Sequence, residues 1–396
     1  MRTHGLVPRL QPFASTIFAE MTALAARTGA VNLGQGFPDT DGPAGMLEVA
    51  RSAIAGGRNQ YPPGPGTRGL RNAIAEHQAA HYGLVHDPVT EVLVTVGATE
   101  AISAALLALV GPGDEVLLVE PYYDSYAAAV ALAGATRRCV PLVSDGDRFA
   151  LDLDALAAAI TPATRALLLN SPHNPTGTVL QPAELTALAA LTVEHDLLVI
   201  TDEVYEHLVF DGARHLPIAT LPGMAPRTLS VSSAGKTFSV TGWKIGWVCG
   251  PAHLVAAVRA AKQFITFVGG APFQPAVAHA LRAESGWVAA HRAAMQGKQH
   301  RLAAGLRAAG FEVRRSEGTY FVCADIRPLG YSDGLQFCQE LPVRAGVVAV
   351  PVQVFVDEPA PWRHLVRFAF CKRDEVLDEA IGRLASAGRD VGKLTS

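Results

Sequence analysis

The sequence contains few of the features that mark disulfide-bonded, metal-binding or membrane proteins. It has five cysteines, at positions 139, 249, 323, 338 and 371, without a C-x-x-C pair. An odd number of widely spaced cysteines predicts no disulfide framework and no zinc site, and no other metal is expected. The longest apolar runs, such as 101–110, are about half a membrane span, and the N-terminal stretch lacks the apolar core of a signal peptide. We therefore expect a cytoplasmic protein that does not contact membranes.

Charge is also scarce. Charged residues make up 17% of the 396 residues, and the formal net charge is −3. This balance gives no electrostatic basis for binding nucleic acid. Hydrophobic residues make up 49%, which indicates a well-filled globular interior, and the length predicts two or three domains.

Short apolar segments alternate with helical patterns through most of the chain. The predicted strands are 91–96, 115–119, 137–141, 165–169, 197–201 and 228–231. The predicted helices are 13–28, 45–55, 67–82, 99–110, 123–133, 153–160 and 182–195. Because these strands are almost wholly apolar, both of their faces should be covered. The pattern predicts an α/β fold, with a mainly parallel sheet and helices on both faces.

A smaller α+β layer is predicted after this alternation. It comprises helices at 287–309, 333–345 and 374–387, and strands at 311–313, 319–325, 347–350 and 364–370. We therefore expect an N-terminal arm with part of the small domain at 1–45, a large domain at 46–286 and a small domain at 287–396.

The stretch 228–250, TLSVSSAGKTFSVTGWKIGWVCG, combines a β-branched run, a turn of small residues and two spaced lysines. The turn presents Lys236, and Lys244 follows eight residues later. Such a pattern suits a pocket that holds a phosphate and keeps one amine near a reacting atom. The alternative is that Lys236 is a solvated surface lysine without a function in a binding pocket.

Three chemistries leave similar traces in this stretch. A nucleotide-binding P-loop would need glycine at Ser230, and the acidic strand precedes the Gly-Lys-Thr instead of following it. A serine acyl-enzyme would use Ser233 and Lys236 as S-x-x-K, but its S-D-N and K-T-G companions are absent. The third chemistry is a Schiff-base lysine on pyridoxal phosphate.

Polar or small residues follow several predicted strands directly. They are Gly97-Ala98-Thr99, Tyr122-Tyr123-Asp124, the turn 170–177 (NSPHNPTG), and Asp202 with Glu203 and Tyr205. In parallel sheets the carboxyl ends of the strands meet at one edge, where ligands bind. Gly34 and Gly36 in the loop 31–43 allow close backbone approach. Arg367 lies in an apolar strand, so a carboxylate from protein or ligand is implied as its partner.

Seven motifs occur in an order that resembles the fold-type I pyridoxal-phosphate aminotransferases of class I/II. They are NLGQGFPD, NQYPPGPGTRGLR, TVGATEA, SPHNPTG, TDEVYE, SSAGKTFSVTGWKIGW and LVRFAF. The chain resembles most closely the branch that acts on kynurenine, methionine and N-succinyldiaminopimelate, and within it the enzymes of the last, lysine-pathway type. This implies a seven-stranded large-domain sheet and ping-pong transfer of an amino group to 2-oxoglutarate. It also implies a homodimer with a shared active site.

The resemblance assigns a role to each matching residue. Lys236 is similar to the Schiff-base lysine, and Asp202 to the carboxylate that pairs with the pyridine nitrogen. The remaining cofactor-binding residues are expected to be Asn174 and Tyr205 at the ring hydroxyl, Tyr123 on the ring, and Ala98, Thr99, Ser233, Lys244 and the neighbouring subunit's Tyr61 at the phosphate. The substrate-binding residues are expected to be Arg367, Gly36, Asn174 and Phe18.

The sequence departs from common family patterns at four positions. Lys244 stands where many relatives have Arg, Tyr123 where Phe or Trp is frequent, and His173 where some have Asn. Phe18 stands where kynurenine-type enzymes often have Trp, which disfavours an aromatic substrate. Kynurenine, glutamine or methionine as donor remains an alternative.

Two other functions share this scaffold. A C–S β-lyase acting on cysteine conjugates begins with the same proton removal. A non-catalytic regulator should carry a basic DNA-binding segment, but only about 30 residues precede NLGQGF. The residue that binds the distal carboxylate of a succinylated substrate is open, with Arg58 or a loop of the partner subunit as candidates.

Overall fold

The computed structural model describes residues 5–389, so the outermost parts of the predicted N-terminal arm and small domain lie outside the described residues. Its α-helices are α1 (Ile17–Thr28), α2 (Ala44–Ala55), α3 (Arg68–Tyr82), α4 (Gly97–Leu109), α5 (Asp124–Ala133), α6 (Leu153–Ala159), α7 (Pro182–Glu194), α8 (Ala234–Thr237), α9 (Ala252–Lys262), α10 (Phe273–Ala283), α11 (Ser285–Ala308), α12 (Gly334–Arg344) and α13 (Asp374–Arg389). Short 3-10 helices lie at Pro8–Phe13, Ile218–Thr220, Ala225–Arg227, Thr241–Trp243, Arg327–Leu329, Val352–Phe355 and Ala360–Trp362.

The strands form one large sheet, one smaller sheet and two short pairings. They are β1 (Val31–Asn32), β2 (Val92–Val96), β3 (Glu115–Glu120), β4 (Thr136–Pro141), β5 (Val143–Asp145), β6 (Arg148–Ala150), β7 (Thr164–Asn170), β8 (Leu198–Asp202), β9 (Thr228–Ser233), β10 (Ile245–Cys249), β11 (Glu312–Val313), β12 (Phe321–Asp325), β13 (Val347–Val348), β14 (Val350–Pro351) and β15 (Leu365–Ala369).

The large sheet has seven strands in the order β2-β10-β9-β8-β7-β3-β4. All neighbours pair in parallel except β10, which is antiparallel to both β2 and β9. The predicted mainly parallel, seven-stranded sheet is therefore confirmed. The apolar run after Lys244 supplies the antiparallel strand.

Alternate residues of the central strands pack into two separate cores. Leu117, Leu167 and Val199 belong to one buried cluster, whereas Leu118 and Leu168 belong to another. Successive side chains of a strand point to opposite faces, so both faces of this sheet are covered. The fully apolar strands of the sequence are explained by this double covering.

A four-stranded antiparallel sheet, in the order β11-β12-β15-β14, forms the smaller layer. It packs with α1, α11, α12 and α13 around its own core, and β1 pairs in parallel with β13. The chain segment just after α1 thus lies beside the C-terminal layer. This pairing agrees with an N-terminal arm that joins the small domain, although the proposed boundaries stay predictions.

Three predicted elements are wrong in detail. The strand predicted at 347–350 is two short strands in different pairings, β13 and β14. The strand predicted to begin at 319 begins at Phe321, because Thr319 has a φ of 66°, in the left-handed region. The helix predicted at 13–28 begins at Ile17, where the Thr16 side chain caps it by accepting a hydrogen bond from the Ala19 amide.

Among residues 5–389, the helices include none whose length and apolar character would let it cross a membrane.

Candidate active site

A cavity of about 260 Å³ lies where the carboxyl ends of β2, β7, β8 and β9 meet. Every residue predicted for the site lines it except Tyr61. Those in the wall are Phe18, Gly36, Ala98, Thr99, Tyr123, Asn174, Asp202, Tyr205, Ser233, Lys236, Lys244 and Arg367. Tyr61 is 83% exposed and lies elsewhere on this chain. The contact of Tyr61 with the phosphate in a neighbouring subunit's site remains a prediction.

Lys236 projects into the cavity from α8, the single helical turn that follows β9. Its Nζ donates a hydrogen bond to the Tyr320 hydroxyl over 2.6 Å. Burial is the main cause that lowers the pKa of the amine to about 8. The positive charges of Lys244 and Arg367 act in the same direction, and Cys371 and Asp202 oppose it. A lysine with this pKa is partly neutral near pH 7, so it can act as a nucleophile and accept a proton.

Asp202 ends β8, and its carboxyl group is almost entirely buried. Tyr126 donates a hydrogen bond to it over 2.6 Å, and the Val204 amide donates to the other oxygen. Burial raises the pKa of Asp202, while the hydrogen bond from Tyr126 opposes that rise. No cation pairs with Asp202 within the described residues, so a cationic ligand group would remove the cost of its burial.

The loop that follows β7 is held in place by the neighbouring strand. Asn170 pairs with Asp202 in the sheet register and donates a side-chain hydrogen bond to the Asp202 carbonyl over 2.8 Å. The Asn170 side-chain oxygen accepts from the Asn174 amide, also over 2.8 Å. Asn174 therefore reaches the cavity at a fixed position.

One end of the cavity is suited to an anion. Gly97 begins α4 with a φ of 73°, and a Cβ placed on it would lie 3.0 Å from the Lys244 Nζ. Glycine at this position lets the ammonium approach the free amides of the helix start. Lys244 can reach it because β10 is antiparallel, so the beginning of β10 lies beside the end of β2. Ala98, Thr99 and Ser233 complete this wall.

Arg367 on β15 is a fully buried guanidinium, 1% exposed. It donates to the Asn174 side-chain oxygen over 2.8 Å and to the Gly34 carbonyl over 3.1 Å, and it lies 3.9 Å from the Phe321 ring centroid. Its Nε has no hydrogen-bond partner, and no carboxylate pairs with it within the described part of the chain. The sequence predicted a carboxylate partner from either the protein or a ligand. Residues 5–389 supply none, which leaves that role to a ligand.

Sequence reasoning missed Tyr320 and Tyr126, and it placed Asn170 in the strand-end turn 170–177 without giving it a role. Tyr320 contacts Lys236, Tyr126 contacts Asp202, and Asn170 fixes the Asn174 loop. Tyr126 follows Tyr123 by three residues on a predicted helix, a spacing that places both on one face and could have revealed it. No local signal marked Tyr320, because it lies 84 residues after Lys236 in the sequence.

The two rival chemistries of the lysine stretch do not fit this geometry. The Thr237 hydroxyl, which a P-loop would use on magnesium, donates to the Ser233 carbonyl over 3.3 Å. The partner of the Lys236 amine is Tyr320 instead of the serine that an S-x-x-K site requires.

The sequence model of the family described as aminotransferase class I and II matches residues 28–384, so the chain belongs to this family. It is 63% identical over 387 residues to the probable N-succinyldiaminopimelate aminotransferase DapC of Mycobacterium tuberculosis, covering 96% of this chain and 98% of that protein. It is 40% identical over 386 residues to the methionine aminotransferase of Escherichia coli, covering 97% of this chain and 99% of that protein. The solved structure of the N-succinyldiaminopimelate aminotransferase from M. tuberculosis superposes with a TM-score of 0.95 at 64% identity, covering 96% and 100% of the two chains. The predicted family and its branch are confirmed.

Proposed function

We propose that the chain uses pyridoxal 5′-phosphate to transfer an amino group from N-succinyl-LL-diaminopimelate to 2-oxoglutarate. The observation that carries this proposal is the position of Lys236. Its amine, with a pKa lowered to about 8, lies in a cavity whose wall carries a buried carboxyl group and an anion cradle. The wall also carries a guanidinium that has no carboxylate partner among the described residues. Pyridoxal phosphate together with an amino acid uses all four features: the amine, the buried carboxyl group, the anion cradle and the guanidinium.

The residues of the cavity fit pyridoxal phosphate group by group. Lys244 and the amides at the start of α4 would hold the phosphate, and Asp202 would keep the pyridine nitrogen protonated. Arg367 engages the side-chain oxygen of Asn174, so the Asn174 Nδ2 remains to donate to the ring hydroxyl, beside Tyr205. When bound, the cofactor supplies an electron-withdrawing ring that stabilises negative charge at the substrate α-carbon.

The protein's own groups divide the remaining work. Arg367 binds the α-carboxylate through two parallel hydrogen bonds, which fixes the substrate's orientation. The Lys236 Nζ, once neutral and free, removes the proton from the substrate α-carbon. It would then return this proton to the cofactor carbon that is bonded to the transferred nitrogen. Tyr320 positions this amine through its hydroxyl. Phe18 and Phe321 pack around the guanidinium and limit the access of water.

The donor is proposed from the 63% identity to the M. tuberculosis protein over nearly the whole of both chains. A succinylated donor also carries a distal carboxylate. The cations in the described cavity wall are Lys236, Lys244 and Arg367, and each already has a role. Arg58 is exposed and outside this wall, so we place the distal contact on a second subunit.

We propose a homodimer that shares its active sites. Four large hydrophobic side chains are exposed near one another in sequence or space: Tyr61 at 83%, Phe264 at 85%, Ile265 at 47% and Phe267 at 46%. Tyr61 contacts Phe267 with ring centroids 5.5 Å apart. Exposed apolar side chains that lie close together are typical of protein–protein interfaces. The cytoplasmic location stays a prediction.

A panel of amino donors with 2-oxoglutarate, read by glutamate formation, tests the proposed substrate. N-succinyl-LL-diaminopimelate should give the highest kcat/KM. If methionine, glutamine or kynurenine equals it, the proposed donor is wrong, and the similarity to the E. coli enzyme favours methionine. Pyruvate and ammonia released from a cysteine conjugate without an oxo acid would identify a β-lyase instead.

A further inference from the structure

A cluster of three histidines lies outside the cavity, where α3 meets the loop after β8. His77 and His81 are four residues apart on α3, and His207 follows Tyr205 by two residues. The His77 Nε2 lies 2.8 Å from the His207 Nε2, and one ring nitrogen from each histidine lies within 4.8 Å of the other two. Residues four apart share a helix face, so the helix presents two imidazoles to the third.

We propose that His77, His81 and His207 form a binding site for a divalent transition-metal ion of the zinc type. Three imidazoles around an open position are a frequent zinc arrangement, and imidazole also suits nickel, cobalt and copper. Magnesium and calcium prefer oxygen ligands and should not bind here. Nitrogens on one tetrahedral zinc ion are roughly 3.3 Å apart, so the close His77–His207 pair needs to open by only about 0.5 Å. His81 is exposed and leaves a path for the ion.

The surroundings supply the outer contacts that such a site needs. The Gln78 amide lies 3.5 Å from the His77 Nδ1, and its Oε1 is buried without a partner among the described residues. With the amide turned so that Oε1 faces the ring, the Nδ1–H group has an acceptor and the Nε2 keeps its lone pair for the ion. The neighbouring Glu206 accepts hydrogen bonds from Tyr82 and Ser232, so a buried carboxylate offsets part of the ion's charge.

A second group, Glu120, Cys139 and Asp357, has comparable spacing but a different environment. The Arg137 guanidinium donates to both oxygens of Asp357 over 2.8–3.0 Å, and Tyr122 donates to the same carboxylate over 2.6 Å. Because Arg137 already pairs with the Asp357 carboxylate, we do not expect a metal ion to bind this group. A Cys139 variant therefore serves as the control for metal binding outside the histidine cluster.

The histidine site goes against the expectation that the chain binds no metal. The H-x-x-x-H spacing was visible in the sequence, but the third ligand lies 130 residues from His77 and only the fold brings it near. An ion held here would tie α3 to the loop that carries Tyr205, which lines the catalytic cavity. This proposal does not depend on the identity of the amino donor.

Calorimetric titration of the chelator-treated holoenzyme with zinc sulfate tests the site. The wild type should bind one zinc ion per chain at micromolar concentration or below, with magnesium chloride giving no binding. His81→Ala, an exposed and tolerant position, and His207→Gln should each weaken zinc binding at least ~10-fold. His253→Ala, an exposed histidine on α9, and Cys139→Ser should bind as the wild type does.

A thermal scan provides the second measurement. Excess zinc should raise the unfolding midpoint of the wild type and His253→Ala by a few degrees, but not that of His81→Ala. Absence of tight zinc binding in the wild type overturns the proposal. A loss smaller than tenfold in either cluster variant, or the loss of binding in Cys139→Ser, also overturns it.

Discussion

The Lys236 amine donates a hydrogen bond to the Tyr320 hydroxyl over 2.6 Å, and that hydroxyl in turn donates to the Gly36 carbonyl. Tyr320 is 1% exposed and therefore has no access to solvent partners. One phenol thus links the amine on α8 to the glycine loop after β1. The position of the amine depends on a side chain from the smaller α+β layer.

Tyr320→Phe should lower kcat about 10-fold while leaving KM within about 2-fold. The amine loses its positioning contact, and the Gly36 carbonyl loses a donor, at a cost to stability of about 1 kcal/mol. Steady-state kinetics and thermal unfolding measure both effects. Tyr331→Phe is the matched control, since its hydroxyl contacts Glu340 away from the cavity over 2.8 Å. An unchanged kcat would show that Tyr320 does not position the amine.

The lowered pKa of Lys236 predicts how the apoenzyme recaptures its cofactor. Only the neutral amine reacts, and a pKa of about 8 makes roughly a tenth of it neutral at pH 7, against roughly one part in three thousand for an ordinary lysine. The capture rate should rise with pH and level off above about 8. Stopped-flow absorbance between pH 7 and 9.5 measures it. A rate still rising tenfold per unit at pH 9 contradicts the lowered pKa.

Arg367→Lys should reduce kcat/KM for donor and acceptor alike, by about 10- to 100-fold. Lysine keeps the charge but loses the planar fork that donates two hydrogen bonds to a carboxylate. Cofactor absorbance should not change, since Arg367 is assigned to the substrate. Arg282→Lys, which alters an exposed pair with Glu76, is the control and should retain full activity. If only one of the two substrates is affected, Arg367 does not grip their common α-carboxylate.

The proposed interface predicts a variant that dissociates. Phe264→Glu places a charge in the apolar patch and should shift the mass measured by light scattering towards the monomer, with loss of activity. Val343→Glu changes a 75% exposed apolar residue on α12 and should leave both properties intact. A fully dimeric, active Phe264→Glu protein would place the interface elsewhere.

Much of the fold could be predicted because the signals were local. Apolar strands such as β7 and β8 are short and bounded by turns, and their doubly buried faces agree with their composition. The split of 347–350 between two pairings could not be predicted, because it depends on distant partners at β1 and β15. The boundary errors at Thr16 and Thr319 reflect a cap and a left-handed residue.

The site followed the same division. The residues at strand ends, including Asp202 and Asn174, were predictable because parallel strands place their carboxyl ends at one edge. The contacts of Tyr320 and the histidine cluster join elements far apart in sequence, which no local pattern encodes. For Arg367, the sequence predicted the need for a carboxylate, and the structure adds that no carboxylate pairs with it within residues 5–389.

Borohydride reduction of the holoenzyme, followed by peptide mass analysis, tests the central claim most directly. Reduction makes an imine between lysine and cofactor permanent, so the modified residue can be read from the peptide. The account predicts one pyridoxyl group per chain, on Lys236, and none in Lys236→Ala. Modification of Lys244 or another lysine, or no modification of the wild type, would contradict it.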